Sequence, residues 1–283
     1  MPLWVAPAGD STSTITAADL SAKLEGNAAK VGRVLGPQDP LLLLIVTDLV
    51  GDLAAITPAK QALVAGVQAL PPEAHAGLMR AQDGLNVVVD PTADRDALGE
   101  ALDSLAVTGK AAFLNTVETM ARISNGILRK SAVRVAVLYV TDSDIYNYRE
   151  DYTNPVINYS DSGDMSRRFP EGLVREKFTR LDASLSRLQA PIFIVHLSYR
   201  TDTLNEAYQV GLKQVAQTTG GTSVFCRSKA EIPDAIKEMF GTIRSLYRVD
   251  VQLPERHPKI VKLEMISGER VLTYRSQFRL DGK

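Results

Sequence analysis

The sequence predicts an α/β protein, a doubly wound and mostly parallel sheet with helices on both faces, followed by a small C-terminal antiparallel β extension. Three observations carry this. Residues 41–52, LLLLIVTDLVGD, form a short apolar run broken by turn residues, the pattern of a strand buried on both faces of a parallel sheet. Two further runs, VRVAVLYV at 133–140 and PIFIVHL at 191–197, repeat it and alternate with helical periodicity, as doubly wound sheets do. From Tyr247 onward the pattern changes, and the stretches 247–253, 260–266 and 270–278 alternate apolar and polar residues, the mark of antiparallel strands with one wet face.

Composition narrows the function classes. The chain has 283 residues, 45% hydrophobic and 23% charged, with a formal net charge of −1. That length suits one large domain with an appendage. The charge offers no basic field for nucleic acid or anionic lipid. With one cysteine, Cys226, neither an intrachain disulfide nor a cysteine-based zinc site can be built. No apolar stretch reaches the roughly 18–20 residues of a membrane helix. The first residues, MPLWVAPAGDSTSTIT, lack the basic start and long apolar core of a signal peptide.

In chain order, residues 1–38 are read as an N-terminal arm lying on the domain. A short helix is expected within 21–34, since Leu24, Ala28 and Val31 fall at i, i+4 and i+7. The domain proper spans 39–246. After its first strand, Thr57-Pro58 supplies a cap and a first-turn proline for a helix over 59–70, which Pro71-Pro72 stops. Strands at 76–82 and 85–89 are joined by Asp83-Gly84, a hairpin signal. Thr92 or Asp94 caps a helix through 105, and a longer helix covers 110–128. Strand 133–140 ends in Thr141-Asp142, echoing Thr47-Asp48 at the end of the first strand.

Residues 145–170 show no periodicity, and a long irregular run inside an α/β domain is commonly functional or disordered. Helix 173–188, strand 191–197, helix 204–219 stopped by Gly220-Gly221, strand 222–226 and helix 232–246 complete the alternation. The extension, 247–283, holds strands at 247–253, 260–266 and 270–278, with a turn at Ser267-Gly268.

The candidate site follows from the sheet. Asp48 and Asp142 both end buried strands, and open α/β sheets bind ligands outside the carboxyl ends of their strands. Residues 142–171 carry seven acidic side chains against three arginines, with Tyr146, Tyr148, Tyr152 and Tyr159 among them. Tyrosine gives large contact area at low entropic cost and is enriched in contact surfaces. A plain solvated loop would have the same composition. His196 is read as a core histidine and Cys226 as buried and inert. There is no nucleophile elbow, paired-histidine zinc motif or phosphate loop.

The order Asp48-x-Val50-x-Asp52, helix, hairpin, helix, Gly109-Lys110, helix, strand, Thr141-Asp142 resembles the von Willebrand factor A domain. The likeness is to the bacterial branch of related domains with a short β-rich C-terminus, and covers about residues 38–280. VVVDPTADRDALGEALDSL (87–105), TGKAAFLNTV (108–117), VAVLYVTDSD (135–144) and YRVDVQL (247–253) add to it. The resemblance implies a Rossmann-like fold and a non-enzymatic protein-binding or scaffolding module. It also implies an extracytoplasmic location, periplasmic or secreted, with a cytoplasmic one as the alternative.

Such domains often hold Mg²⁺ through Asp-x-Ser-x-Ser, a Thr opening the third helix and an Asp after the fourth strand. Oxygen ligands suit that ion. Here Asp48 and Asp142 match. Val50 and Asp52 replace the two serines, and Lys110 stands where the Thr belongs. The expectation is a degenerate, metal-free site in which the Lys110 ammonium neutralises the aspartates. The expected partner-contact residues are Asp48, Asp52, Lys110, Asp142, Asp144, Tyr146, Tyr148 and Tyr152. Two alternatives stay open. One is a metal-dependent adhesion site with Mg²⁺ on Asp48, Asp52 and Asp142. The other is an α/β enzyme using the Asp48 and Asp142 carboxylates for acid–base chemistry.

Overall fold

A computed structural model describes residues 1–7, 14–148, 170–268 and 270–280. Its centre is a six-stranded sheet in the order β10-β9-β8-β5-β6-β7. The strands are β5 (Leu41–Asp48), β6 (His75–Arg80), β7 (Asn86–Thr92), β8 (Arg134–Thr141), β9 (Ile192–His196) and β10 (Ser223–Phe225). All pairings are parallel except β6 with β7, the hairpin that Asp83-Gly84 turns with φ of 54° and 118°. Side chains on successive residues take opposite faces. Leu41, Leu43 and Ile45 of β5 thus enter one core, and Leu44 and Val46 the other.

Six described helices cover both faces. α1 (Leu53–Gln68), α2 (Arg95–Asp103) and α6 (Ile232–Ser245) pack on the first. α3 (Phe113–Lys130), α4 (Pro170–Leu185) and α5 (Thr203–Thr219) pack on the second. Of the two candidates Thr92 and Asp94, the α2 cap is Asp94, accepting from the amides of Asp96 and Ala97. The α1 cap is not Thr57. Asp52 accepts from the Ala54 amide and opens the helix earlier, leaving Pro58 inside it. α1 also lies close to α6. A Cβ built on Gly66 would come within 2.5 Å of the Phe240 ring. Gly66→Ala should therefore cost about 1–3 kcal/mol through overpacking, seen as a lower urea midpoint with unchanged slope.

The N-terminal segment departs from its reading. Where an arm with a helix over 21–34 was expected, the chain forms β1 (Pro2–Pro7), β2 (Ser21–Leu24), β3 (Asn27–Ala29) and β4 (Val31–Leu35). These pair with β11 (Tyr247–Val251), β12 (Ile260–Ile266), β13 (Leu272–Tyr274) and β14 (Gln277–Arg279) from the other end of the chain. One sheet runs β13-β1-β11-β4, the other β14-β12-β2-β3. The expected strand 270–278 is thus divided between two sheets. Leu3, Val5, Leu24, Val249, Val261, Leu263 and Phe278 fill the core that the sheets share.

Three arginines fasten this β layer to the lower end of the α/β layer. Arg248 donates to the carbonyls of Ser131 and Val133. Arg275 donates to those of Ser186 and Leu188. Arg134, 0% exposed, donates to the carbonyls of Pro37, Asp39, Arg244 and Leu246. No described helix is long and apolar enough to cross a membrane.

Candidate functional site at the carboxyl rim of the sheet

The sheet's order reverses between β5 and β8, its topological switch point. Asp48 stands opposite Thr141 there, so the two aspartates from distant parts of the chain do meet at one rim. Their carboxylates do different work.

Asp48 is 0% exposed. It accepts from the amides of Ala112 (3.2 Å) and Phe113 (3.3 Å), where α3 begins. It also accepts from the hydroxyls of Ser143 (2.9 Å) and Thr141 (3.3 Å). These satisfy first-turn donors that Ala112, the α3 cap, cannot. Burial raises its pKa to about 7, against the lowering effect of Ser143 and the two amides; the charge of Asp142 adds to the rise.

Asp142 is 9% exposed and holds the loop after β5. Its two oxygens accept from the backbone amides of Val50 (2.7 Å), Gly51 (2.9 Å) and Asp52 (2.9 Å). The side chain of Asp52 points outward to cap α1 and to meet an ammonium at 2.9 Å. That ammonium belongs to Lys229, and its hydrogen bond is the main reason the Asp52 pKa is lowered.

Lys110, expected to neutralise the aspartates, is exposed. Its backbone is locked to Asp83, whose carboxylate accepts the Lys110 amide at 3.0 Å and whose own amide donates back to the Lys110 carbonyl at 2.9 Å. Among the described residues, no ion pair joins Lys110 to Asp48, Asp52 or Asp142. This pairing with Asp83, in the β6–β7 turn, holds Lys110 to the side of the rim. There the described residues leave a cleft of about 960 Å³, lined by Asp83, Lys110, Asn115, Thr119, Asn147 and Tyr148.

The remaining expected contact residues separate. Asp144 accepts from the Tyr146 amide and lies 4.0 Å from Arg200. Tyr146 is 40% exposed, its hydroxyl donating to Asp202 at 3.0 Å. Tyr148 is 4% exposed and turned inward, its oxygen accepting from the Leu114 amide. Asp48 and Tyr148 are therefore buried beneath the rim, Tyr148 at the wall of the side cleft. Tyr152 and Tyr159 lie outside the described residues.

Sequence reasoning missed the buried network under Asp48. The Ser143 hydroxyl lies within hydrogen-bond distance of both Thr141 (2.7 Å) and Tyr208 (3.2 Å). His196 Nε2 lies 3.0 Å from the Ser143 carbonyl, so it carries the proton and donates. Burial lowers the His196 pKa to about 4 and keeps the ring neutral, in keeping with its reading as a core histidine. Ser143, next to the Thr-Asp pair, was the one signal in the sequence. Tyr208 looks there like any core aromatic. Also missed was Leu53, 64% exposed beside Asp52. Cys226 is buried, as expected, and burial pushes its thiol up to about 11.

Asp48, Asp52 and Asp142 are the oxygen donors that a divalent ion would take at this rim. Val50 is no ligand, and no group of three or more His, Cys, Asp or Glu among the described residues is arranged to hold a metal.

No protein-family model and no curated protein matches the sequence. Solved structures do resemble this chain. A von Willebrand factor type A protein from Catenulispora acidiphila is similar with a TM-score of 0.50 and 11% identity, over 99% of this chain and 73% of that one. A variant of the PilB minor pilin from Streptococcus sanguinis is similar with a TM-score of 0.51 and 8% identity, over 74% of this chain and 62% of that one.

Proposed function

We propose, taking as premise that this chain has the von Willebrand factor A fold, that it is a non-enzymatic protein-binding or scaffolding module whose contact surface is the carboxyl rim. We propose further that the rim works without a bound metal ion. One observation carries the second part. The two carboxylates at the strand ends are already committed, Asp48 to four donors below the surface and Asp142 to three backbone amides. An ion drawing on these carboxylates would compete with those donors, and the Val50 side chain offers it no oxygen in return.

Contact falls to the groups around that core that reach solvent: Leu53, Tyr146, Asp52 with Lys229, the half-buried Asp144 with the exposed Arg200, and Lys110 at the side. Apolar and aromatic anchors among paired charges are what protein contact surfaces use. That one similar solved structure is a minor pilin supports an extracytoplasmic site of action.

The test is capture from an extract of the source organism on the immobilised chain, in Mg²⁺ and in EDTA. A partner retained equally in both, and lost from Leu53→Asp or Tyr146→Ala, is the expected result. Release by EDTA, or micromolar Mg²⁺ binding by calorimetry that Asp48→Ala abolishes, would overturn the metal-free part. Turnover of a substrate lost in Asp142→Asn would overturn the non-enzymatic part.

A further inference from the structure

The α/β layer is an excursion from the β layer. It leaves after β4 and returns at β11, and these strands are neighbours, with Leu35 opposite Arg248 and Val34 opposite Val249. The outgoing and returning crossings therefore lie side by side. Arg134, at the start of β8, sits between them with its guanidinium fully buried. On the outgoing crossing it donates to Pro37 (2.9 Å) and Asp39 (3.2 and 2.9 Å). On the return it donates to Arg244 (2.9 Å) and Leu246 (3.1 Å).

No carboxylate pairs with this guanidinium among the described residues. Its donors serve the backbone of the two crossings. Burial lowers its pKa to about 10, so it stays charged at neutral pH. Only a planar fork with five donors can reach both segments at once; an ammonium cannot. Arg248 and Arg275 hold neighbouring loops of the same lower end.

We infer that this closed junction is a mechanical shunt. Tension applied across β1 and β14 is carried within the β layer. It reaches the inserted α/β layer only after β4 parts from β11 and the Arg134 clasp opens. The rim, at the opposite end of the central sheet, keeps its shape while the chain bears load. This holds whatever the rim binds, and so stands or falls apart from the proposed function.

Single-molecule stretching of the full chain, with handles fused at both ends, tests it. Each unfolded residue adds about 3.3–3.6 Å of contour, so the layers differ plainly in the length they release. The expected record is a smaller extension from the β layer first, then the larger one from residues 36–246. Arg134→Met should shift the larger event to lower force. A Val34→Cys, Val249→Cys pair, oxidised, should abolish the larger event and leave the smaller. A larger event that comes first, or whose force is unchanged in Arg134→Met, overturns the inference. If Arg134→Met does not fold, the order of events in the unmodified chain decides alone.

Discussion

Asp142→Ala is expected to lower the unfolding free energy by about 2–4 kcal/mol and to release the loop after β5. The carboxylate accepts from three consecutive amides, Val50, Gly51 and Asp52. Hydrogen bonds to a charged group contribute about 1.5–3 kcal/mol each. The full sum is not expected, because Gly51 and Asp52 are exposed and water can take over part of the task. Asp142→Asn should fall between, since its NH₂ would face an amide donor. Urea unfolding gives the magnitude. Hydrogen exchange at residues 50–52 gives the place, and faster exchange confined to those amides is the specific outcome. Unchanged exchange would mean that the loop is held by something else.

The second large effect is a pH dependence centred on Asp48. Its folded-state pKa, about 7, lies above the ordinary carboxylate value of 3.8. Between those values the folded protein keeps a proton that the unfolded chain has lost. Stability from this group is therefore fully present below about pH 4, declines as pH rises through 7, and is level above that. At 1.36 kcal/mol per unit, the change is on the order of a few kcal/mol.

His196 acts in the opposite sense. Its pKa is lowered to about 4, so its contribution is lost as pH falls from its unfolded value of 6.5. The two are separated by comparison with Asp48→Asn. The difference in stability between wild type and variant should fall steadily between pH 4 and 7, the His196 contribution cancelling. A flat difference would place the Asp48 pKa near its ordinary value.

Much of the α/β layer was legible because its signals are local. The runs 41–48, 133–140 and 191–197 are buried on both faces, and each reads as one apolar block whatever its neighbours. Asp48 and Asp142 could be placed at one rim because parallel strands present the same end to the same side. What pairs with what was not local. Residues 21–34 match a helix by the spacing of Leu24, Ala28 and Val31. Yet Leu24 is paired with Leu263, and no window around Leu24 contains that strand. Glu25-Gly26, with φ of 50° and 78°, was the overlooked turn signal. The cation beside Asp52 was missed for the same reason. Lys110 was near in a family pattern, whereas Lys229 is near in space.

The β layer also sets an order of assembly. Its core needs Leu3 and Val5 together with Val261, Leu263 and Phe278, so it cannot close until the ribosome has passed Phe278. The central sheet is complete once β10 has emerged, and can form while the first strands wait unpaired. During synthesis the apolar face of β1 is an open edge, the kind of surface that chaperones shield.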